Sequence, residues 1–444
     1  MKDVRFFSQS SLIPQEELDD LQPQLLEEIK LMTAARKKNY DDDRASLYLL
    51  EDRDSLKKIK SLINEKRKVD PKYLVVVGIG GSNLGTVAVQ EAVLGRMYNQ
   101  TEPATKILYA DTVDSDVLHT IIALIEPVLK NGGNVLINGV SKSGGTTETI
   151  ANFEVLIEVL KKYKRDYQHY IIVTTDKDSK YWTLAEKKGF SLLDIPSKVG
   201  GRYSVFSAVG LVPLGILGID IDDLLNGACS MVKRCLDSHI QNNPAALSAS
   251  LIYAHYKYGK NIHDLFLFNP DLESLGKWYR QLMGESIGKE YNSKGERVFT
   301  GITPTVSIGS TDLHSMAQLY LGGPFDKFTT FVRVERNNSV VCVPDLPDYA
   351  SLVKGIQGKS MDEIMQAILD GVQAAYRKAN RPFVEVALPD KTAFSIGQFM
   401  QFKMMEMMFL GALCGVNPFD QPNVEAYKRE TQKILEERSK PMNI

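Results

Sequence analysis

The chain has 444 residues, too many for one ordinary core, which points to two domains or about three. Hydrophobic residues make up 43% and charged residues 24%, the balance of a soluble globular protein rather than a disordered or membrane-embedded one. A net charge of −2 shows no basic footprint for nucleic acid or for a membrane surface, yet leaves room for a small positive pocket.

The first residues, Met1 to Ser8, lack the apolar core of a signal peptide. Cys229, Cys235, Cys342 and Cys414 are scattered without a C-x-x-C pair and read as reduced thiols, so a cytoplasmic protein is expected. Residues 10–68 are polar with periodic apolar positions at Leu18, Leu21, Leu25, Ile29 and Leu31. They read as surface helices (segment 1–68) packing on something larger.

From residue 73 the texture changes. Apolar, β-branched runs at 73–78, 106–110, 134–140 and 170–175 alternate with helical stretches such as 86–96 and 149–160. Alternating strands and helices imply a parallel sheet wound on both faces, and strands that are apolar throughout fit burial on both sides. This is the expected first α/β domain, residues 69–205. A long helical region follows to about Leu247, then strand candidates at 263–268, 303–308 and 328–334 with helices around 272–287, 312–321, 360–379 and 398–413. These make a second doubly wound α/β domain, residues 206–444, ending in a charged helix from 423 to 439. The 398–413 stretch is rich in Met and Phe but carries Gln401, Lys403 and Glu406, so a core or subunit-interface helix is expected rather than a membrane span.

Several junctions carry chemistry. Ser141-Lys-Ser-Gly-Gly-Thr-Thr-Glu-Thr149 joins a strand to a helix. Glycines allow a tight turn, first-turn N–H groups face outward, and the hydroxyls of Ser141, Ser143, Thr146, Thr147 and Thr149 add donors. A plain helix cap would need fewer hydroxyls, so the loop reads as a phosphate cradle. Gly78-Ile-Gly-Gly-Ser-Asn-Leu-Gly85 lies in a similar place, but Asn83 stands where a dinucleotide fingerprint needs its third glycine. A sugar- or phosphate-contacting loop therefore ranks above a nicotinamide site.

Arg202 follows two glycines that allow close approach to a ligand, and a guanidinium suits developing oxyanion charge. In the 272–287 helix, Leu275, Trp278 and Leu282 mark the buried stripe, and its next step lands on Glu285, with Gln281 one turn earlier. A carboxylate there is costly without partners and suits a general base; the plainer expectation is a helix-end carboxylate that reaches solvent. Ser310-Thr-Asp312 reads as a helix start that puts His314 in a first turn, where the dipole favours a neutral imidazole fit for proton transfer. The six histidines and four cysteines show no metal-ligand spacing, so no metal site is expected. Gln421 and Lys428 lie in a proline-punctuated turn feeding the last helix.

Together these segments resemble glucose-6-phosphate isomerase (phosphoglucose isomerase) of the shorter bacterial type. The resemblance runs in order through Gly-Ile-Gly-Gly-Ser at 78–82, residues 141–149, Gly-Gly-Arg-Tyr-Ser at 200–204, Gly-Glu-Ser-Ile-Gly-Lys at 284–289, His314, and Asp-Gln-Pro-Asn-Val-Glu-Ala-Tyr-Lys at 420–428. It implies two sugar-isomerase (SIS) type domains and a homodimer. It also implies interconversion of glucose 6-phosphate and fructose 6-phosphate through a cis-enediol(ate), with no cofactor. Glu285 then matches the base moving a proton between C1 and C2. Arg202 matches the residue that stabilises the enediolate. Lys428 and His314 match the ring-opening residues, with His314 reaching the partner's site. Ser141, Ser143 and Thr146 match phosphate-binding hydroxyls, with Lys142 in the same loop. Gly81, Ser82, Gln281 and Gln421 match further substrate contacts. Long members of the family have bulkier residues where this chain has Ser143-Gly-Gly145, and Pro422 replaces a tryptophan.

The competing readings are a sugar-phosphate-binding regulator of the same domain type, another sugar-phosphate isomerase, and a nicotinamide dehydrogenase.

Overall fold

The computed structural model describes residues 3–439. Its strands are β1 (Arg5–Phe7), β2 (Pro71–Val77), β3 (Lys106–Ala110), β4 (Asn134–Ser141), β5 (Ile171–Thr175), β6 (Ser191–Asp194), β7 (Ile262–Leu267), β8 (Lys289–Tyr291), β9 (Arg297–Thr300), β10 (Thr303–Ile308), β11 (Lys327–Val334) and β12 (Phe383–Leu388). They form two five-stranded sheets, ordered β3-β2-β4-β5-β6 and β1-β12-β11-β7-β10, and an antiparallel β8–β9 hairpin.

The first sheet is parallel throughout, with Leu74 of β2 opposite Ile107 of β3 and Leu136 of β4. Leu74 to Val77 are fully buried, because helices cover both faces and the strand needs no polar side. The chain leaves β2 first towards β3 and then returns on its other side as β4. This reversal opens a crevice at the strands' C-terminal ends, the place where open parallel sheets bind ligands. The 78–85 and 141–149 loops both lie there. In the second sheet β7 likewise lies between β10 and β11, its parallel neighbours.

Helix Leu84–Leu94, which follows β2, packs on helix Glu273–Ile287, which follows β7. One continuous core therefore joins the sheets, running from Leu74 and Val76 through Leu275, Trp278 and Leu282 to Met404 and Phe409. Full burial of each large side chain in it contributes about 1.5–3 kcal/mol.

The α/β reading holds, with differences that have physical causes. β1 was not expected; three residues are too few to show a period, and the strand exists because β12 offers it an edge. β12 escaped notice because Glu385 interrupts its apolar run. In the fold that carboxylate accepts from Arg333 Nε of β11 at 2.7 Å. The four-residue β6 is likewise too short to read. The region after residue 204 is three helices, Ala208–Ile216, Ile221–Cys235 and Pro244–Lys257, rather than one stretch ending near 247. The methionine-rich helix, Ala393–Cys414, is covered by its own chain on nearly every side, so it provides core packing and no subunit interface.

His255 illustrates the cost of this core. Its Nε2 lies 2.8 Å from the Ser11 carbonyl oxygen, and burial pushes its pKa down to about 4. Below pH 6.5 the unfolded chain takes up a proton that the folded one refuses until about pH 4. Stability from this group is thus present above 6.5 and lost as pH falls from there towards 4. At pH 5 the loss is about 2 kcal/mol. Denaturant titrations at pH 7.5 and 5 are expected to show a smaller acid loss for His255→Gln than for wild type; equal losses would contradict it.

Candidate active site

A cleft of about 580 Å³ lies where the 78–82, 141–149 and 200–204 loops meet the end of helix Glu273–Ile287 and the 421–428 segment. Ten expected site residues line it: Gly81, Ser82, Lys142, Ser143, Thr146, Arg202, Gln281, Glu285, Gln421 and Lys428.

Arg202 stands at its centre with a fully buried side chain. Its Nη1 donates to Glu285 Oε2 at 3.1 Å and to Gln421 Oε1. Nε donates to Ser286 Oγ at 2.9 Å, and Nη2 to the carbonyls of Pro418 at 2.6 Å and Asp420 at 3.1 Å. All five guanidinium N–H groups are therefore used. Glu285 keeps 27% of its side chain exposed, facing the cleft, and its other oxygen accepts from Gln281 Nε2 at 3.0 Å. The expectation of a carboxylate reaching free into solvent is excluded by this pairing. The buried stripe of Leu275, Trp278 and Leu282 is as expected, and Trp278 Nε1 donates to the Arg202 carbonyl at 3.2 Å.

Glycine makes the near wall possible. A Cβ on Gly81 would lie 2.2 Å from the carbonyl carbon of Gly201 and 2.6 Å from the Arg202 nitrogen, so only glycine lets the two loops touch.

At the other end, helix Thr147–Tyr163 starts from Thr146 with no side chain capping its first turn. Its N–H groups and dipole are left for an anion. Burial, opposed by the Asp176 carboxylate and helped by Arg202, pushes the Lys142 ammonium below its ordinary pKa, a cost that a bound anion would offset further.

Two expected residues stand outside the cleft lining. Ser141 is buried at the end of β4 with its Oγ 3.0 Å from Thr146 Oγ1, so it shapes the loop from beneath. His314 is exposed. The expected helix start is instead a short 3₁₀ turn, Thr311–Leu313, and the α-helix begins only at Ala317. The reason is that Asp312 turns back to accept from the Ile308 N–H at 2.7 Å and from Ser315 Oγ at 2.8 Å instead of capping a helix.

Sequence reasoning missed the third wall, Asp176, Asp178 and Ser179, together with Glu148 and Glu425. The 176–179 loop follows β5 at the same end of the sheet, which is the signal that could have found it. Its Asp176 N–H donates to the Lys142 carbonyl at 3.2 Å, so it buttresses the 141–149 turn. Glu425 holds Lys428 Nζ at 2.8 Å.

A phosphoglucose isomerase profile matches residues 68–444. The chain belongs to the phosphoglucose isomerase family. Within the family, it is 38% identical over 371 residues to the glucose-6-phosphate isomerase of Carboxydothermus hydrogenoformans, covering 82% of this chain and 79% of that one. It is 33% identical to the enzyme of that name from Pediococcus pentosaceus, covering 86% and 84%. Among solved structures, a hypothetical protein from Thermus thermophilus superposes with a TM-score of 0.85 at 29% identity, over 97% and 99% of the two chains. A glucose-6-phosphate isomerase from Chlamydia trachomatis shares the fold with a TM-score of 0.82 at 20% identity, over 99% and 90%.

Because the Gly81–Gly201 contact is backbone on backbone, Gly81→Ala must push the loops apart and shift Arg202. Steady-state kinetics of a folded Gly81→Ala protein are expected to show kcat/KM lower by about 100-fold; wild-type values would show that the contact does not set the site.

Proposed function

We propose that this chain interconverts glucose 6-phosphate and fructose 6-phosphate by ring opening and proton transfer between C1 and C2. The observation that carries the reading is the Glu285 carboxylate, held between Gln281 and Arg202 in the same cleft as the uncapped helix start at Thr147. The phosphate rests against that helix start, with the Ser143 and Thr146 hydroxyls and Lys142 around it. Remote binding of this group positions the reacting carbons.

In ring opening the C1–O5 bond breaks, O1 gives up its proton and O5 takes one. Lys428 lies in the cleft for this step, and His314 is assigned to it from a second copy of the chain. Glu285 then removes the C2 proton and returns it to C1, while the O2 hydroxyl proton passes to O1, so that O1 ends as a hydroxyl and C2 as the carbonyl. Arg202 faces the enediolate oxygen as charge develops there, already fixed by its other bonds, so little reorganisation is required. Gln281 holds the second Glu285 oxygen, while Ser82, Gly81 and Gln421 line the path of the sugar.

The homodimer belongs to this proposal and is supported by the position of His314 outside its own cleft. So does a division into 1–68, 69–205 and 206–444, supported by the separate sheets and by β1 joining the second one. Cytoplasmic residence is proposed from four unpaired cysteines, Cys342 among them exposed. No described helix is long and apolar enough to cross a membrane.

Coupled assays without added metal are expected to show isomerisation in both directions. Glu285→Gln should lower kcat by about 10²–10⁴-fold with substrate affinity retained. Full activity in that variant would remove Glu285 as the base. Glu285→Gln and His314→Ala should each be inactive alone and regain activity when their subunits are exchanged, since one hybrid site then has both groups. Absence of recovery after demonstrated exchange would place His314 in its own subunit's site or outside the reaction.

A further inference from the structure

Lys289 closes the Gly-Glu-Ser-Ile-Gly-Lys segment, yet it does not line the substrate cleft. Its side chain is 4% exposed, and its ammonium donates to two carbonyls and pairs with one carboxylate. Nζ lies 2.7 Å from the Glu285 carbonyl oxygen, 2.6 Å from the Asp420 carbonyl oxygen and 3.0 Å from Asp420 Oδ1. The last carbonyls of a helix have no amide partners of their own, and here a lysine supplies the donor for the residue that carries the catalytic carboxylate. The Asp420 carbonyl also accepts from Arg202 Nη2 at 3.1 Å. One oxygen is thus shared by the two cations that flank Glu285.

We propose that Lys289 is a positioning residue for the reaction: it ties the helix end bearing Glu285 to the 417–421 loop bearing Gln421, and so sets the place of the base against Arg202. The inference rests on the reading of Glu285 as the base. Lys289 does its work from behind the site. It opens instead onto a separate cavity of about 790 Å³, bounded by Pro418, Asp420 and Pro422 on the far side of the same loop. Burial pushes its ammonium below the ordinary lysine pKa, and the Asp420 carboxylate opposes that shift.

The geometry makes the role testable separately from folding. Lys289→Met keeps most of the volume and removes the donor. In the full-length protein, kcat is expected to fall about 10- to 100-fold with KM little changed, because the misplaced base is needed only for the chemical step. In Lys289→Ala the 790 Å³ cavity gives small primary amines a route to the vacated position without entering the substrate cleft. Methylammonium or propylammonium should restore kcat saturably, and tetramethylammonium, which has no N–H donor, should not.

A Glu285→Gln, Lys289→Met double variant should be no slower than Glu285→Gln alone, since the second change acts through the first. Wild-type kcat in folded Lys289→Met overturns the proposal. So does a loss that follows the unfolded fraction and resists every amine, or additive losses in the double variant. An active Glu285→Gln would instead overturn the reading of the base on which the proposal rests. If Lys289→Ala does not fold, Lys289→Met and the double variant decide the matter.

Discussion

A guanidinium removed wholly from water holds this site together. Burying a charge is costly unless every donor is met and an opposite charge lies near. Arg202 satisfies both demands with one carboxylate, one amide, one hydroxyl and two carbonyls. The requirement works in reverse as well. Because Arg202 must be satisfied, the helix end at Glu285 and Ser286 and the loop from Pro418 to Gln421 are held in register around it. Glu285, Arg202 and Gln421 are therefore one bonded unit.

The sheets explain why such a unit can face a phosphate site. Reversal of strand order at β2 leaves the 78–82 and 141–149 loops at one crevice. The equivalent helix after β7 packs on the helix after β2 and delivers its C-terminal end to the same place. Glycines at 81 and 201 let the 78–82 and 200–204 loops meet backbone to backbone. Lys289 and Asp420 lie behind the cleft and line the cavity on the other side of the 417–421 loop. In the proposed reaction the arrangement divides the work: the uncapped helix start would hold the inert end of the sugar, and the Arg202 cluster would act on C1 and C2.

Much of this was legible in the residues. The strand run at 73–78 could be read because burial on both faces makes Leu74 to Val77 apolar throughout. Glu285 could be placed on the buried line of its helix because Leu275, Trp278 and Leu282 fix the phase. The strands that escaped are those stabilised from outside: β1 by the edge of β12, and β12 by the ion pair of Glu385 with Arg333. His314 was expected in a helix because Ser310-Thr-Asp312 has the composition of a cap. Asp312 spends its oxygens on Ile308 and Ser315 instead, and composition does not reveal which of several nearby donors a carboxylate will choose. Ser141 has the right chemistry for a phosphate, but strand alternation turns it inward.

By itself, then, the sequence determined the local elements, the anion-ready turn at 141–149 and the burial phase of Glu285, because these depend on neighbours within a few residues. In order along the chain, its motifs also carried the family resemblance. What only tertiary structure decided is which groups meet. The side-chain partners of Arg202 lie 83, 84 and 219 residues away, and no periodicity spans such distances. The role proposed for Lys289 has the same origin: it is an ordinary lysine opening a short strand until the loop at 418–421 folds back over it.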